Sequence, residues 1–169
     1  MNTEIKLDEY AFLVSESSHE GIIRFASDDF CKLSEYSLDE LSGQSLKVIY
    51  HDDMPKKILD ELWSTIGRGE TWVGYVKNST KNGNYFWTFT NIYPFTSSNG
   101  ESGYLSCRKK ASDREIEQYT LIYQQINEEL EGPIHAISLH TFTDSEWKDK
   151  NETAQDSPDC LGGMKKEDS

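Results

Sequence analysis

Alternating apolar and polar positions dominate the first two thirds of the chain. FLVS (12–15) and GIIRFA (21–26), joined by the polar ESSHE, predict a hairpin. Three further strands are predicted at 71–78, 84–95 and 102–109, with turns at Asn82-Gly83 and across SSNGES. In the first of these, period two puts Trp72, Gly74, Val76 and Asn78 on one face. In the second, Phe86, Thr88, Thr90 and Ile92 share one face; Tyr85, Trp87, Phe89, Asn91 and Tyr93 share the other. Between hairpin and strands the period changes. Ser27 is placed to cap a short helix carrying Phe30 and Leu33, and Ser37 another over Leu38–Leu41, closed by Gly43. Ile58, Leu59, Leu62, Trp63 and Ile66 form one stripe of a helix that starts at Pro55 and ends at Gly67 and Gly69. Ile116, Tyr119, Ile122, Tyr123, Ile126 and Leu130 mark a helix over 112–130.

These elements predict an α+β domain at 12–111: a five-stranded antiparallel sheet with short helices on one face. Residues 1–11 read as a polar N-terminal cap, open to a helix, and 112–131 as a C-terminal signalling helix. The polar stretch 132–169, with Pro158 and Gly162-Gly163, is expected to be a disordered tail. Within it, IHAISLHTF (134–142) suits either a docked strand or a peptide seeking a partner.

Composition narrows the function. Of 169 residues only 36% are hydrophobic, and the net charge of −13 argues against nucleic-acid binding and against adsorption to anionic membranes. No apolar run approaches the roughly 20 residues a membrane span needs, and the N-terminus lacks a signal-peptide core, so a cytoplasmic protein is expected. Cys31, Cys107 and Cys160 are scattered, with neither disulfide nor zinc spacing. GxSxG, HExxH, phosphate-loop and GxGxxG motifs are missing, so no enzyme is expected.

Candidate chemistry centres on the sheet. A large ring (Trp72), a gap (Gly74) and an amide (Asn78) on one face suit a flat heterocyclic ligand. The competing reading makes Trp72 plain core and Asn78 a turn cap. The segments HDDMP (51–55), Trp63, GETWVGYVKN (69–78), KNGNYFW (81–87), Asn91, Pro94 and GYLSCR (103–108), preceded by FASDDFCKLSEYSLDELSGQ (25–44), together resemble the PAS domains of flavin-binding redox sensors of the aerotaxis-receptor type. The resemblance implies a PAS fold and a flavin, FAD first, with FMN or no flavin left open. It puts Trp72, Asn78, Thr88, Thr90, Ser106 and Arg108 toward the ring, with Trp63 beside them. His51 and Asp53 would stand at the mouth, where Asp53 could equally be a plain cap of the Pro55 helix.

Two positions depart from the family pattern: Tyr50 replaces an arginine and Asp52 a proline, which weakens the site for a pyrophosphate. Leu46 stands where light-sensing relatives carry the adduct-forming cysteine, which disfavours photochemistry. His51 alone in the matched pocket region disfavours haem. The resemblance implies a membrane chemoreceptor-like signalling protein as partner in trans. The aromatic outer face (Tyr85, Trp87, Phe89, Tyr93) needs a cover, from the chain itself or from a homodimer. The alternative function is a ligand-free PAS interaction module.

Overall fold

The computed structural model describes residues 2–130. The expected tail and the 134–142 segment lie outside the described residues.

Strands β1 (Phe12–Ser17) and β2 (Ile23–Ala26) are followed by α1 (Asp28–Ser34), α2 (Leu38–Leu41), a 3-10 turn at Leu46–Val48 and α3 (Lys56–Gly67). Then come β3 (Trp72–Ser79), β4 (Tyr85–Thr96), β5 (Ser102–Lys110) and α4 (Asp113–Leu130). Polar caps start the helices. The Ser27 hydroxyl accepts from the Phe30 amide, and Ser37 and Glu40 form a reciprocal capping box on α2. Ser112 and Glu115 do the same for α4, with side-chain to main-chain bonds of 3.1 and 3.0 Å.

The strands form one antiparallel sheet in the order β2-β1-β5-β4-β3. The turn between β3 and β4 contains Gly83 at φ 81°, a left-handed conformation that glycine adopts without strain. Register fixes the faces. Asn78 stands opposite Phe86, Gly74 opposite Thr90, Thr90 opposite Arg108, Ile92 opposite Ser106, and Ser106 opposite Ser15. These residues share the inner face, toward the cluster of Phe30, Leu41, Leu46, Ile49 and Phe86. Each such side chain, fully buried, contributes about 1.5–3 kcal/mol.

Both edges of the sheet are occupied by the chain itself. Along β2, the Ile23 amide donates to the Gln44 carbonyl (2.8 Å) and the Gly43 amide to the Ile23 carbonyl (2.9 Å). Along β3, the His51 amide donates to the Lys77 carbonyl (3.0 Å) and the Ser79 amide to the Ile49 carbonyl (2.6 Å). Tyr75, two residues before Lys77, turns its carbonyl to the same edge. There it accepts from the Tyr123 hydroxyl of α4 at 2.7 Å.

The outer face is covered by α4. Tyr119 packs on Tyr75 with ring centroids 4.1 Å apart, and Tyr123 stacks on Trp87 at 5.9 Å. A homodimer through this face would have to share it with α4. The N-terminal cap, left open to a helix by its sequence, forms none over the described residues 2–11. Glu4 instead pairs in parallel with Tyr85, the Ile5 amide donating to the Tyr85 carbonyl (2.7 Å) and the Tyr85 amide to the Thr3 carbonyl (3.0 Å). The reason lies in β5, whose pairing with β4 reaches only as far as Thr88 opposite Lys110. The start of β4 is left to the N-terminal arm.

Candidate functional site

The inner face of the sheet brings together six of the nine sequence-predicted site residues: Trp72, Asn78, Thr88, Thr90, Ser106 and Arg108, all buried. The six-membered ring of Trp72 lies against Gly74. A Cβ at that glycine would stand 2.5 Å from the ring, so the gap in the alternation is a seat for the indole. Asn78 does not cap the turn. Its Nδ2 reaches the Phe86 carbonyl (3.2 Å) and Thr88 Oγ1 (3.0 Å), and Thr88 in turn meets Thr90 hydroxyl to hydroxyl at 2.8 Å. That donation fixes the amide orientation, because the reverse would set Oδ1 against a carbonyl oxygen. Asn78 Oδ1 therefore points away, and it is buried without a partner among the described residues.

Three hydroxyls share this condition: Ser106, Ser17 and Tyr50. Tyr50 turns a ring flank to the groove described below but buries its hydroxyl. Burial pushes its pKa up to about 12, and the nearby charge of Arg108 works in the opposite direction. Arg108 is 3% exposed; it donates to Ser15 Oγ at 3.0 Å and lies 4.6 Å from the Phe30 ring centroid. Among the described residues no carboxylate stands within ion-pair distance of it. Burial lowers its pKa to about 10. The patch thus offers a hydrogen-bond acceptor, hydroxyl donors and one cation without a carboxylate partner.

The other predicted residues stand outside this patch. His51 and Trp63 line a groove of about 650 Å³ together with Tyr50, Lys47, Lys56 and Asp52. The Trp63 ring bears on Gly21, where a Cβ would sit 2.5 Å from it. His51 Nδ1 accepts the Asp53 amide at 2.9 Å, which leaves the ring proton of the neutral imidazole on Nε2. Burial first, then the Lys77 charge, lowers its pKa. Asp53 corrects the capping expectation: α3 begins at N-cap Pro55, with no side-chain cap bond. Its carboxylate instead holds Lys77 Nζ at 2.6 Å, and this bond, above all, lowers its pKa. Asp53 and Lys77 line a second cavity, about 390 Å³, under α4 with Trp87, Tyr123 and Asn127.

Sequence reasoning missed the Tyr50 hydroxyl and the serines of β1. Period two along β1 puts Ser15 and Ser17 on the face of buried Leu13, so the signal was present. Among the described residues no group of His, Cys, Asp and Glu is arranged to hold a metal ion, and no helix is long and apolar enough to cross a membrane.

A family model described as PAS fold matches residues 23–107, half of the chain. The chain belongs to the PAS family. This PAS chain is 38% identical over 115 residues to the aerotaxis receptor of Escherichia coli K12, covering 68% of the present chain but only 23% of the receptor. A solved light-oxygen-voltage domain, studied with a flavin analogue, matches with a TM-score of 0.52 at 26% identity, over 72% of this chain and 87% of that one. A second relationship is of another kind. Over 70 residues the chain is 40% identical to the DNA-binding transcriptional regulator BolA of Haemophilus influenzae, covering 39% of this chain and 68% of that regulator. Over that stretch the chain belongs with the BolA proteins as well.

Proposed function

We propose that this PAS domain holds a flavin, FAD, against the inner face of its sheet and reports its redox state to a signalling partner of the chemoreceptor kind. The observation that carries this reading is the buried patch of unmet polar groups. Each unpaired buried group costs about 1–3 kcal/mol, and a buried unpaired charge more. A ligand with complementary edges removes that cost. Asn78 Oδ1 suits a ring N–H, while the Ser106 and Tyr50 hydroxyls and Arg108 suit ring carbonyl and nitrogen acceptors. A flavin ring has both edges, so the donor set fits; when bound it would supply electron-transfer chemistry. The residues orient the ring and set its electrostatics, Trp72 by its flat face and Arg108 by its charge. The groove at His51 gives room for the rest of a dinucleotide, which favours FAD over FMN, although Asp52 beside Lys47 and Lys56 tempers its attraction for phosphate. Similarity to the aerotaxis receptor and to a flavin-analogue structure supports the same reading. The output is conformational rather than catalytic, in the reducing interior of the cell, which suits Cys31 and Cys107, neither of them in a disulfide.

The test is the absorption spectrum of the purified protein from about 300 to 700 nm, before and after dithionite. Bands near about 370 and 450 nm that bleach support the reading; a single band near about 400 nm replaces flavin by haem. A sample that stays colourless after FAD is added leaves the ligand-free interaction module as the function. Trp72→Ala and Asn78→Asp are each expected to give folded, colourless protein. Full yellow colour in both would move the site elsewhere.

The BolA relationship adds a second reading, in which the chain passes its signal to gene expression. Asp and Glu outnumber Lys and Arg after residue 107, which weighs against direct contact with DNA. A protein contact suits that charge better.

A further inference from the structure

The second cavity, about 390 Å³ under α4, lies on the outer face of the sheet, opposite the buried polar patch. Its volume stands at the small end of ligand pockets, which run from about 300 to 1,000 Å³. Register and helical period build it. Lys77 of β3 stands directly opposite Trp87 of β4, and both alternate outward where Asn78 and Thr88 turn inward. Positions 120, 123, 124, 127 and 128 recur with the helical period, so one face of α4 forms the roof. Asn127 Nδ2 donates to the Asp53 carbonyl at 2.9 Å and ties that roof to the turn that carries Asp53.

Among the described residues that line this cavity, Lys77 is the one cation. Its side chain is 11% exposed, and its Nζ donates to Asp53 Oδ2 at 2.6 Å. An ammonium has three donors, so two remain for another acceptor. Asp53 and Glu128 bring two carboxylates. Lys77 takes Asp53 Oδ2, and Gln124 Nε2 donates to Glu128 Oε1 at 3.0 Å. The second oxygen of each carboxylate has no hydrogen bond among the described residues. Trp87 is 4% exposed, and its indole N–H has none either. This combination selects by charge. A simple anion meets two carboxylates, a simple cation meets Lys77, and an uncharged apolar molecule gives these groups no partner. A molecule with both charges suits them all: its carboxylate can accept from Lys77 and the indole, its ammonium can donate to Asp53 and Glu128. Trp87 and Tyr123, whose rings stack at 5.9 Å, offer an apolar surface to the remainder.

We propose that this cavity binds a free α-amino acid with an apolar or aromatic side chain, its carboxylate on Lys77 and its ammonium between Asp53 and Glu128. The proposal goes beyond the flavin reading and does not depend on it, since the two sites lie on opposite faces of the sheet. The test titrates L-phenylalanine into the isotopically labelled full chain and follows the indole N–H resonances by NMR, assigned through Trp87→Phe and Trp72→Phe. Phenylalanine at millimolar concentration is expected to shift the Trp87 resonance and to leave that of Trp72 in place. Hydrocinnamate, which lacks the ammonium, and phenethylamine, which lacks the carboxylate, are each expected to bind at least about tenfold more weakly. Glu128→Gln keeps an oxygen for Gln124 and removes only the charge, so it should weaken phenylalanine about tenfold. Glu128→Lys should weaken phenylalanine and tighten hydrocinnamate, a reversal that loosening of the helix does not produce. Thr120→Phe, placed on the exposed side of α4, fills the cavity and should abolish the shift. The proposal is overturned if phenylalanine leaves the Trp87 resonance unmoved, if either single-charge analogue binds as tightly, or if Thr120→Phe binds like the wild type. Colour after adding FAD, read separately, reports on the flavin reading alone.

Discussion

At residue 74 the sheet has no room for a side chain, because the Trp72 ring occupies it. Gly74→Ala should therefore displace the indole and cost about 1–3 kcal/mol, measured by urea unfolding. An unchanged midpoint would mean that the ring is free to move. His51 gives a second test. Its folded pKa lies below the ordinary 6.5, so on acidification the unfolded chain takes up the proton first. The stability from the neutral ring is full above that value and is lost as pH falls through it toward the lower folded pKa. Wild-type protein should lose stability as pH falls below about 6.5, and His51→Asn should lose less. Identical pH curves would remove His51 from the account. Single residues were legible in the sequence where period two governs them, as for Trp72 and Asn78. Asp53 was not, because its partner Lys77 lies 24 positions away and only folding brings the two together. Tyr50 was read as a substitution at the mouth, since nothing in its neighbours tells that its hydroxyl turns inward.

Among the elements, α4 shows how far periodicity reaches. Its spacing announces the helix, but not the surface it covers. That surface is the edge and outer face of β3 and β4, through Tyr119 and Tyr123, and the turn at Asp53, through Asn127. Tyr123→Phe keeps the ring on Trp87 and leaves the Tyr75 carbonyl without the phenol. Thermal or urea unfolding should show a loss of about 1–2 kcal/mol, with the sheet otherwise intact. A neutral outcome would mean that water replaces the phenol at no cost. The strands were legible to within a residue or two because each alternates against a buried face. The N-terminal arm was not, because its binding partner exists only where β5 stops short of Tyr85.

For the whole molecule, binding of FAD to the folded chain alone should raise its stability by about 2.7 kcal/mol at a hundredfold excess over Kd. Trp72→Ala should lose that shift, so a thermal melt with and without FAD checks site and ligand together. The PAS half was readable from its motifs, while the BolA relationship was not, because periodicity marks elements and not relatives. The sealed edges carry a consequence of another kind. With 43–45 lying along β2 and 49–51 along β3, neither rim offers a row of bare amides and carbonyls to a foreign strand. Among the described residues, a foreign strand or a client peptide meets these stretches with their pairing groups already taken, so it cannot lengthen the sheet there. A partner that reads those rims must recognise them by the shape and charge of their side chains.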